Sequence, residues 1–324
     1  MRLLVTGGAG YVGSIVAAEL LAAGHQVTVL DDLSTGHADA VPVGADFVHT
    51  SISQADPVLA GADFDAVLHF AARSLVAESV AAPERYWDNN VGGSLALFEA
   101  IRRNGVRRVV FSSTAATYGE TDELPILETA PARPTNPYGA SKLAVDNMLA
   151  SYATAYGFAA VSLRYFNVAG ARILDGTGLG ERHATETHLI PIALEVAAGR
   201  RSTLQINGTD YPTRDGSCIR DYIHVLDLAD AHLRALDWTN TNDGQLICNL
   251  GSGAGSSVRE VVQTVRQVSG APTPTVDAPK RPGDPAVLVA SNLRAKAELG
   301  WQPVRSLTEM VTDAWAFAQQ VHGA

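Results

Sequence analysis

Short apolar runs alternate with longer helix-like runs along the first half of the chain. Six apolar runs predict buried strands, at residues 2–5, 26–30, 45–49, 66–72, 108–111 and 159–163. The runs between them predict helices, the longest at residues 15–23, 83–103 and 138–156. Strands that alternate with helices predict an α/β fold with a doubly wound parallel sheet.

The first strand runs directly into a glycine-rich turn. The opening sequence MRLLVTGGAGYVG fits both G-x-G-x-x-G and G-x-x-G-x-x-G, with glycines at Gly7, Gly8, Gly10 and Gly13. Such a turn lets the backbone approach a pyrophosphate, and the N-terminus of the next helix faces the negative charge. An ordinary strand-to-helix turn is the alternative.

Two acidic residues at the end of the second strand indicate that this turn binds a nucleotide. They are Asp31 and Asp32, 18 residues after Gly13. A carboxylate there hydrogen-bonds the hydroxyls of an adenosine ribose and repels a 2′-phosphate. The pattern therefore predicts a Rossmann-type site that binds NAD rather than NADP.

The character of the sequence changes after Gly170. Residues 171–188 are charged, contain glycine and lack periodicity, which predicts a mobile loop over a site. The remainder mixes short helices and strands with loops rich in Pro and Gly, at residues 208–216 and 272–285. We expect an NAD-binding domain with the catalytic residues at 1–170. We expect a smaller domain at 171–324, mainly for substrate, with some segments returning to the first.

Composition and charge exclude several classes of function. The 324 residues are 46% hydrophobic and 18% charged, which is typical of a folded globular protein. A net charge of −10 argues against nucleic acid or an anionic membrane as the main partner. Cys218, Cys248 and the nine His show no metal-ligand spacing, so we expect no metal. The chain opens in its first strand and has no apolar run near ~20 residues, so we expect a cytoplasmic protein.

Tyr138 and Lys142 stand four residues apart, and therefore share one face of a predicted helix. They follow a strand that ends in Ser112, Ser113 and Thr114, a placement that argues against coincidence. A nearby ammonium and a positive nicotinamide ring would lower the pKa of a phenol from its usual ~10. Tyr138 would then act as a general base, with Thr114 sharing its hydrogen bond.

Several motifs together resemble the extended short-chain dehydrogenase/reductase superfamily. They are the glycine turn, TAATYG at 114–119, YGASK at 138–142 and LRYFN at 163–167. Three more are similar to the UDP-glucose 4-epimerase family within it: HFAA at 69–72, YWDNNV at 86–91 and GSCIRDYIHVLDLADAH at 216–232. The resemblance extends from residue 1 to about residue 315.

This resemblance implies an isomerase of galactose metabolism that interconverts UDP-glucose and UDP-galactose and retains its NAD. Tyr138 would take the proton of the sugar 4-hydroxyl as hydride passes from C4 to NAD. The 4-keto sugar would rotate, and hydride would return to its other face. The resemblance also implies a homodimer that pairs the helices near 84–103 and 138–156.

The resemblance assigns residues to a cofactor site and a substrate site. The cofactor site would comprise Gly7, Gly10, Tyr11, Val12, Gly13, Asp31, Asp32, Ser51, Ile52, Phe70, Ala71, Ala72, Asn90, Ser112, Lys142 and Phe166. The UDP-sugar site would comprise Thr114, Tyr138, Asn167, His188, Leu189, Gln205, Ile206, Asn207, Arg220, Arg281, Asp284 and Leu288. The two Arg would bind the diphosphate bidentately, Asp284 would bind ribose, and residues 205–207 would border uracil.

Three of these assignments have purely structural alternatives. Arg220 could form a surface ion pair with the adjacent Asp221. The segment 281–284 could be a simple turn, because it contains Pro-Gly. Asn90 could cap or pack near a helix start.

Four positions depart from the best-known epimerase pattern. Thr50-Ser51-Ile52 lacks the carboxylate usual near adenine, and Ser74 replaces a lysine near the nicotinamide. His188 replaces an asparagine that contacts phosphate. Leu288 replaces a tyrosine that bounds the sugar pocket, so an N-acetyl group could be admitted.

Alternative functions follow from these departures and from the fold. A UDP-N-acetylglucosamine or UDP-pentose 4-epimerase would use the same chemistry. A nucleotide-sugar 4,6-dehydratase is disfavoured, because Ala115 and Ala116 stand where it needs an Asp-Glu or Ser-Glu pair. A non-catalytic NAD-binding protein is disfavoured by the complete set of Thr114, Tyr138 and Lys142.

Overall fold

The computed structural model describes residues 1–121, 123–174, 177–281 and 284–323. In chain order, the strands of the described residues are β1 (Arg2–Thr6), β2 (Gln26–Asp31), β3 (Asp46–His49), β4 (Ala66–His69), β5 (Arg108–Thr114), β6 (Ala159–Tyr165), β7 (Asn167–Ala169), β8 (Arg172–Leu174), β9 (Thr177–Leu179), β10 (Leu204–Asn207), β11 (Ile219–Arg220), β12 (Tyr222–His224), β13 (Gly244–Leu250), β14 (Ser256–Ser257), β15 (Thr275–Ala278) and β16 (Val287–Leu288). The helices are α1 (Tyr11–Ala22), α2 (Asp56–Ala60), α3 (Val76–Ala81), α4 (Pro83–Tyr86), α5 (Gly93–Arg103), α6 (Pro137–Tyr156), α7 (Leu189–Ala197), α8 (Val225–Trp238), α9 (Val258–Ser269), α10 (Leu293–Leu299) and α11 (Leu307–His322).

A seven-stranded parallel sheet forms the centre of the fold, in the order β13-β6-β5-β4-β1-β2-β3. The strand order reverses between β1 and β4, and in such sheets ligands bind beyond the carboxyl ends of the strands at this point. The predicted doubly wound parallel sheet is confirmed. All six predicted strands belong to it, and β13 is a seventh that the apolar pattern did not single out.

The apolar runs form strands of this sheet because both of its faces are covered. Side chains alternate between the faces, so Leu3 and Val5 pack on one side of β1 while Leu4 packs on the other. Helices α1 and α8 cover the first side. Helices α5 and α6 cover the second, where they bury Leu97 and Leu149.

Two segments differ from the expectation drawn from sequence. The predicted helix at 83–103 is interrupted by a π-helical stretch, Trp87–Gly92, between α4 and α5. The predicted irregular loop at 171–188 contains the antiparallel hairpin of β8 and β9. An added Cβ at Gly178 or Gly180 would lie within 2.7 Å of the Phe317 ring, so small residues let this hairpin region pack closely against α11.

The second half of the chain forms a separate apolar cluster and also contributes to the sheet. Leu194, Val261 and Val311 bring α7, α9 and α11 together in that cluster. Strand β13 and helix α8 pack instead with the central sheet. None of the helices in the described part of the chain has the length and apolar character needed to cross a bilayer.

Candidate active site

The turn between β1 and α1 leaves no room for side chains. At Gly7, where φ is +72°, an added Cβ would lie 2.5 Å from the Ala71 backbone nitrogen. At Gly13 an added Cβ would lie 2.2 Å from the Gly7 carbonyl oxygen. The N-cap of α1 is Gly10, which has no side chain to accept a bond from the first-turn N–H groups. This helix end is therefore suited to an anionic ligand.

Asp31 ends β2 beside this turn. Its carboxylate accepts hydrogen bonds from the backbone N–H of Ala9 at 3.0 Å and of Leu33 at 2.8 Å. Burial raises the pKa of Asp31, and these two backbone bonds oppose the rise. A carboxylate offers about four acceptor sites, so Asp31 can still bind ribose hydroxyls.

A cleft of about 790 Å³ opens along the carboxyl ends of the strands. It lies where the strand order reverses, and its volume suits a cofactor and a small substrate. The predicted residues that line it are Gly7, Gly10, Tyr11, Val12, Gly13, Asp31, Asp32, Ile52, Phe70, Ala71, Ala72, Ser112, Thr114, Tyr138, Lys142, Phe166, Asn167, His188, Arg220, Arg281, Asp284 and Leu288.

Six predicted residues do not line this cleft: Ser51, Asn90, Leu189, Gln205, Ile206 and Asn207. Ser51 instead caps a 3-10 turn, where its hydroxyl oxygen accepts a bond from the Ser53 N–H at 3.4 Å. Leu189 starts α7 and packs against the apolar cluster of the second half. Residues 205–207 belong to β10, which pairs with β15; there Gln205 is exposed and Ile206 is buried.

Asn90 lies behind the cleft wall. Its side chain exchanges two hydrogen bonds with the backbone of Arg73, at 2.8 and 3.0 Å, and donates a third to the Ser141 hydroxyl at 3.0 Å. It thereby fixes the segment after β4 to helix α6. Asn90 therefore supports the wall of the cleft from behind, and Asn89 lines the cleft.

Helix α6 brings Tyr138 and Lys142 to the cleft. Its start is set by Asn136, whose side chain accepts a bond from the Gly139 N–H at 2.9 Å, and by Pro137 in the first turn. Tyr138 therefore lies in the first turn and Lys142 one turn later. The Tyr138 phenol interacts with the Thr114 hydroxyl, and the Lys142 ammonium donates to the Ser112 carbonyl oxygen at 2.8 Å.

Burial governs the ionisation of both groups. It raises the pKa of Tyr138, and the hydrogen bond with Thr114 opposes the rise. It lowers the pKa of Lys142 to about 7, and the nearby Asp146 carboxylate opposes that fall. The expected lowering of the phenol pKa is therefore wrong for the protein groups alone, because desolvation outweighs the hydrogen bond. The prediction also included a positive nicotinamide ring, whose charge would lower the pKa of the phenol when the cofactor is bound.

Arg220 and Asp284 form an ion pair at the other end of the cleft. The proposed surface pair between Arg220 and Asp221 is not formed, because Asp221 is buried. The Asp221 carboxylate accepts from the backbone N–H groups of Ser252 and Ala290 at 2.6 and 3.0 Å. Leu288 lies opposite Arg220 in the paired strands β16 and β11, so the two side chains border the same part of the cleft.

Several lining residues were not predicted from the sequence. Tyr165 ends β6 and hydrogen-bonds the Ser112 hydroxyl on the neighbouring strand. Glu181 and His183 line the cleft beside His188. Tyr165 was predictable from its position at the end of a strand. Glu181 and His183 belong to a Glu-x-His-x-x-Glu-x-His pattern at 181–188, which the sequence analysis did not identify.

These features fit a dinucleotide. The close approach of Gly7 to Ala71 gives a backbone cradle that no other residue would allow. The free end of α1 suits the pyrophosphate, and Asp31 suits the adenosine ribose. Beyond Tyr138 and Lys142, the cleft continues to Arg220 and Arg281. The arrangement therefore combines a turn suited to a dinucleotide, a buried phenol and ammonium, and two arginines suited to an anion.

Comparison with known proteins agrees with this geometry. Residues 3–251 match the family described as the NAD dependent epimerase/dehydratase family. The chain is 58% identical over 318 residues to a UDP-glucose 4-epimerase of Streptomyces lividans, which covers 97% of this chain and 95% of the relative.

Solved structures show the same fold. A UDP-glucose 4-epimerase from Brucella ovis in complex with NAD has a TM-score of 0.94 and 45% identity, covering 97% of each chain. One from Stenotrophomonas maltophila, with bound NAD and formylated UDP-arabinopyranose, has a TM-score of 0.95 and 39% identity, covering 99% of this chain and 98% of that one. The chain therefore belongs to the NAD dependent epimerase/dehydratase family, and it is similar to the UDP-glucose 4-epimerases of that family over nearly its whole length.

Proposed function

We propose that the protein interconverts UDP-glucose and UDP-galactose with NAD as cofactor and Tyr138 as the general base. The observation that carries the proposal is that Tyr138, Thr114 and the buried Lys142 come together in one cleft that also holds the glycine cradle. The proposal is supported by the similarity to UDP-glucose 4-epimerases across nearly the whole chain.

The chemistry requires a reversible two-electron oxidation at the sugar C4. When bound, NAD supplies this capacity, because it accepts a hydride from C4 and returns it to the other face of the ring. Tyr138 takes the proton of the 4-hydroxyl as the carbonyl forms, and gives it back to the same oxygen in the return step. Atoms and electrons balance over the cycle, so the reaction consumes no external oxidant.

Lys142 and Thr114 prepare Tyr138 for this role. The Thr114 hydroxyl fixes the phenol oxygen through their shared hydrogen bond. The Lys142 ammonium, held by the Ser112 carbonyl oxygen, places a positive charge on the same helix face, and a positive charge favours the tyrosinate. Asp146 supports the charged form of this lysine, since its carboxylate opposes the fall in the Lys142 pKa.

The UDP portion is proposed to occupy the end of the cleft near Arg220. Arg220 and Arg281 supply planar cations that match phosphate oxygens, and Asp284 offers acceptors for ribose hydroxyls. Arg220 and Asp284 are paired with each other in the structure, so each is already oriented. Asn167 is positioned by its side-chain bond to the Asp221 carbonyl oxygen at 3.0 Å. Residues 205–207 remain candidates for uracil only from the resemblance.

A wider sugar specificity is the second candidate. Leu288 lines the cleft and is half-buried, where a larger aromatic side chain would occupy more of the sugar pocket. The open space favours acceptance of an N-acetyl group or a pentose in addition to the hexose. Dehydration is disfavoured, because Ala115 and Ala116 line the cleft next to Thr114 without a titratable side chain.

The organisation of the molecule is proposed on the same basis. Residues 1–170 form the NAD-binding and catalytic domain. Residues 171–324 mainly form the UDP-sugar domain, with β13 and α8 returning to the central sheet. Two buried free thiols, Cys218 and Cys248, support a cytoplasmic location.

A homodimer is proposed to pair the helices near 84–103 and 138–156. Trp87 and Leu95 lie on the first of these segments, and each leaves close to half of its surface exposed, which supports an apolar contact there. Sedimentation at micromolar concentration tests this arrangement. A dimer mass is expected, and a monomer mass would contradict it.

The activity is tested with purified protein, NAD and one sugar nucleotide at a time. UDP-galactose is incubated and the products are separated by chromatography; conversion to UDP-glucose is expected. UDP-N-acetylgalactosamine is the second substrate, and its conversion would show that the pocket is open at Leu288. Failure to convert UDP-galactose with NAD present would contradict the proposed reaction.

A further inference from the structure

Four side chains that commonly ligate metals converge at one edge of the cleft. Glu181, His183, Glu186 and His188, here called the Glu-His tetrad, place one ligand atom each within 4.8 Å of the other three. All four come from one short segment between β9 and α7. Neither the acid–base role of Tyr138 nor the anion-binding role of the arginines uses this arrangement.

The distances between the ligand atoms of the tetrad are close to those found around a single metal ion. Nδ1 of His188 lies 2.7 Å from Glu181 Oε1 and 2.9 Å from Glu186 Oε1. Nδ1 of His183 lies 3.0 Å from Glu181 Oε1 and 3.6 Å from Glu186 Oε2. Ligand atoms bound tetrahedrally at ~2.0–2.1 Å from zinc stand ~3.3 Å apart, so a small movement of each side chain would accommodate the ion.

The burial of the two carboxylates calls for a positive charge. The side chains of Glu181 and Glu186 are each only 8% exposed. Buried carboxylates require pairing or a metal, since desolvation of a lone charge is costly. Arg182 does not supply this charge, because it donates two bonds to Asp39, at 2.9 and 2.7 Å. Without a metal the charge must come from His183 and His188, whose rings contact both carboxylates.

His183 makes an imperfect contact with both carboxylates. Its Nδ1 is buried and lies 3.0 Å from Glu181 Oε1 and 3.6 Å from Glu186 Oε2, yet neither contact has good hydrogen-bond geometry. The nitrogen is therefore ion-paired without a well-formed hydrogen bond, and an ion between these atoms would satisfy all three of them.

We propose that the Glu-His tetrad binds one Zn²⁺ ion as a structural site. Two imidazole nitrogens with two carboxylates suit zinc, whereas Mg²⁺ and Ca²⁺ prefer oxygen ligands alone. Four protein ligands fill a tetrahedral shell and leave no position for substrate, which is typical of structural rather than catalytic zinc. Zn²⁺ would displace one proton from each imidazole, and two glutamates and two neutral histidines with Zn²⁺ carry no net charge.

The ion would fix the segment that borders the cleft. Glu186 Oε1 already accepts bonds from the N–H groups of Thr187 and His188, both at 2.7 Å, and so shapes the turn into α7. The carbonyl oxygen of Arg182 contacts His37 Nε2 at 2.8 Å on the cofactor side. Nδ1 of His188 faces the tetrad, so Nε2 of the same ring is left for the predicted contact with phosphate. This last consequence rests on the proposed function.

The proposal is tested on the full chain without a polyhistidine tag. Metal is removed by a chelator, and Zn²⁺ is titrated back in competition with a chromophoric chelator. One equivalent per chain is expected, and Co²⁺ is expected to give the intense visible absorption of a tetrahedral site. No binding of Zn²⁺ by the wild-type chain would overturn the proposal and identify the tetrad as an imidazolium–carboxylate cluster.

Matched variants locate the ion. His183→Gln and Glu186→Gln are each expected to weaken Zn²⁺ affinity at least tenfold and to abolish the rise in Tm that Zn²⁺ gives the wild type. His25→Gln and Glu195→Gln make the same chemical changes outside the tetrad and are expected to retain both. Circular dichroism checks that each variant is folded. Equal affinity in tetrad and control variants would overturn the assignment, whether or not the enzyme is active.

Discussion

The Lys142 ammonium donates a hydrogen bond to the Ser112 carbonyl oxygen at 2.8 Å, which ties helix α6 to the end of strand β5. The same residue lies with its ammonium 4.8 Å from the centre of the Phe111 ring and is almost fully buried. A strand end and a helix face therefore hold a cation at a fixed position beneath the cleft.

Replacing Lys142 by Met is expected to lower turnover at least about 100-fold while improving stability at pH 6. Burial lowers the pKa of Lys142 to about 7, from 10.5, so the unfolded chain binds more protons between these values. The contribution of this residue to stability therefore rises with pH from about 7 to about 10.5 and is least favourable below pH 7.

Urea unfolding of wild type and Lys142→Met at pH 6 and pH 10 measures this effect. At pH 6 the free energy of unfolding of Lys142→Met is expected to exceed that of the wild type. At pH 10 this difference is expected to be smaller. If Lys142→Met is less stable than the wild type by the same amount at both pH values, the interactions of the folded protein offset the cost of burying the ammonium.

Tyr138→Phe is expected to lower kcat by about 10²–10⁴, since the variant lacks the phenol that exchanges the proton. Tyr152→Phe is the matched control on the same helix, because its hydroxyl lies near the far end of α6 and donates to Glu99 at 2.5 Å. Both variants are expected to retain NAD, measured as nucleotide released on denaturation. Near-native turnover by Tyr138→Phe would remove this residue from the role of base.

His232 gives a stability change at mildly acidic pH. Burial lowers the pKa of His232 to about 4, while its bond to the Leu228 carbonyl oxygen at 2.8 Å opposes the fall. Between pH 6.5 and 4 His232 binds a proton in the unfolded chain but not in the folded chain, so the free energy of unfolding falls as the pH falls. From pH 7 to pH 5 this single group contributes a loss of about 2 kcal/mol.

His232→Gln is therefore expected to lose about 2 kcal/mol less than wild type between pH 7 and pH 5. The exposed His49 serves as control, and His49→Gln is expected to follow the wild type. Urea unfolding at both pH values provides the free energies. Parallel losses in wild type and His232→Gln would show that this imidazole is protonated in the folded protein.

Arg220→Met is expected to raise KM for UDP-galactose about 10- to 100-fold with a smaller effect on kcat, because charge-assisted bonds to phosphate are lost. Arg234→Met removes an exposed arginine that pairs with Asp230 at 2.7 Å on α8, and is expected to leave KM unchanged. Steady-state kinetics of both variants tests this assignment. A loss confined to kcat would place Arg220 outside the diphosphate site.

The central sheet was predictable from sequence because each of its early strands is a short apolar run buried on both faces. The glycine turn and the Tyr138–Lys142 pair were also predictable, because local spacing alone puts them on one turn or one helix face. Strand β13 was missed, since its place beside β6 comes from tertiary packing of a distant segment.

The positions of some site residues could not be predicted because they depend on contacts across the fold. Asn90 was expected in the cofactor site, yet a π-helical stretch and three hydrogen bonds to Arg73 and Ser141 place it behind the wall. The pKa of Tyr138 depends on burial that spacing cannot reveal. The Glu-His tetrad follows a regular spacing in the sequence, but only the fold shows that its four side chains converge.

The most direct test of the central claim follows a label at the reacting carbon. UDP-galactose carrying deuterium at C4 is converted by the purified protein in ordinary water, and the UDP-glucose formed is analysed by mass spectrometry and NMR. The account predicts that deuterium remains at C4, because hydride leaves and returns within the closed cleft. Loss of deuterium to solvent would contradict it, since the C4 hydrogen would then leave as a proton.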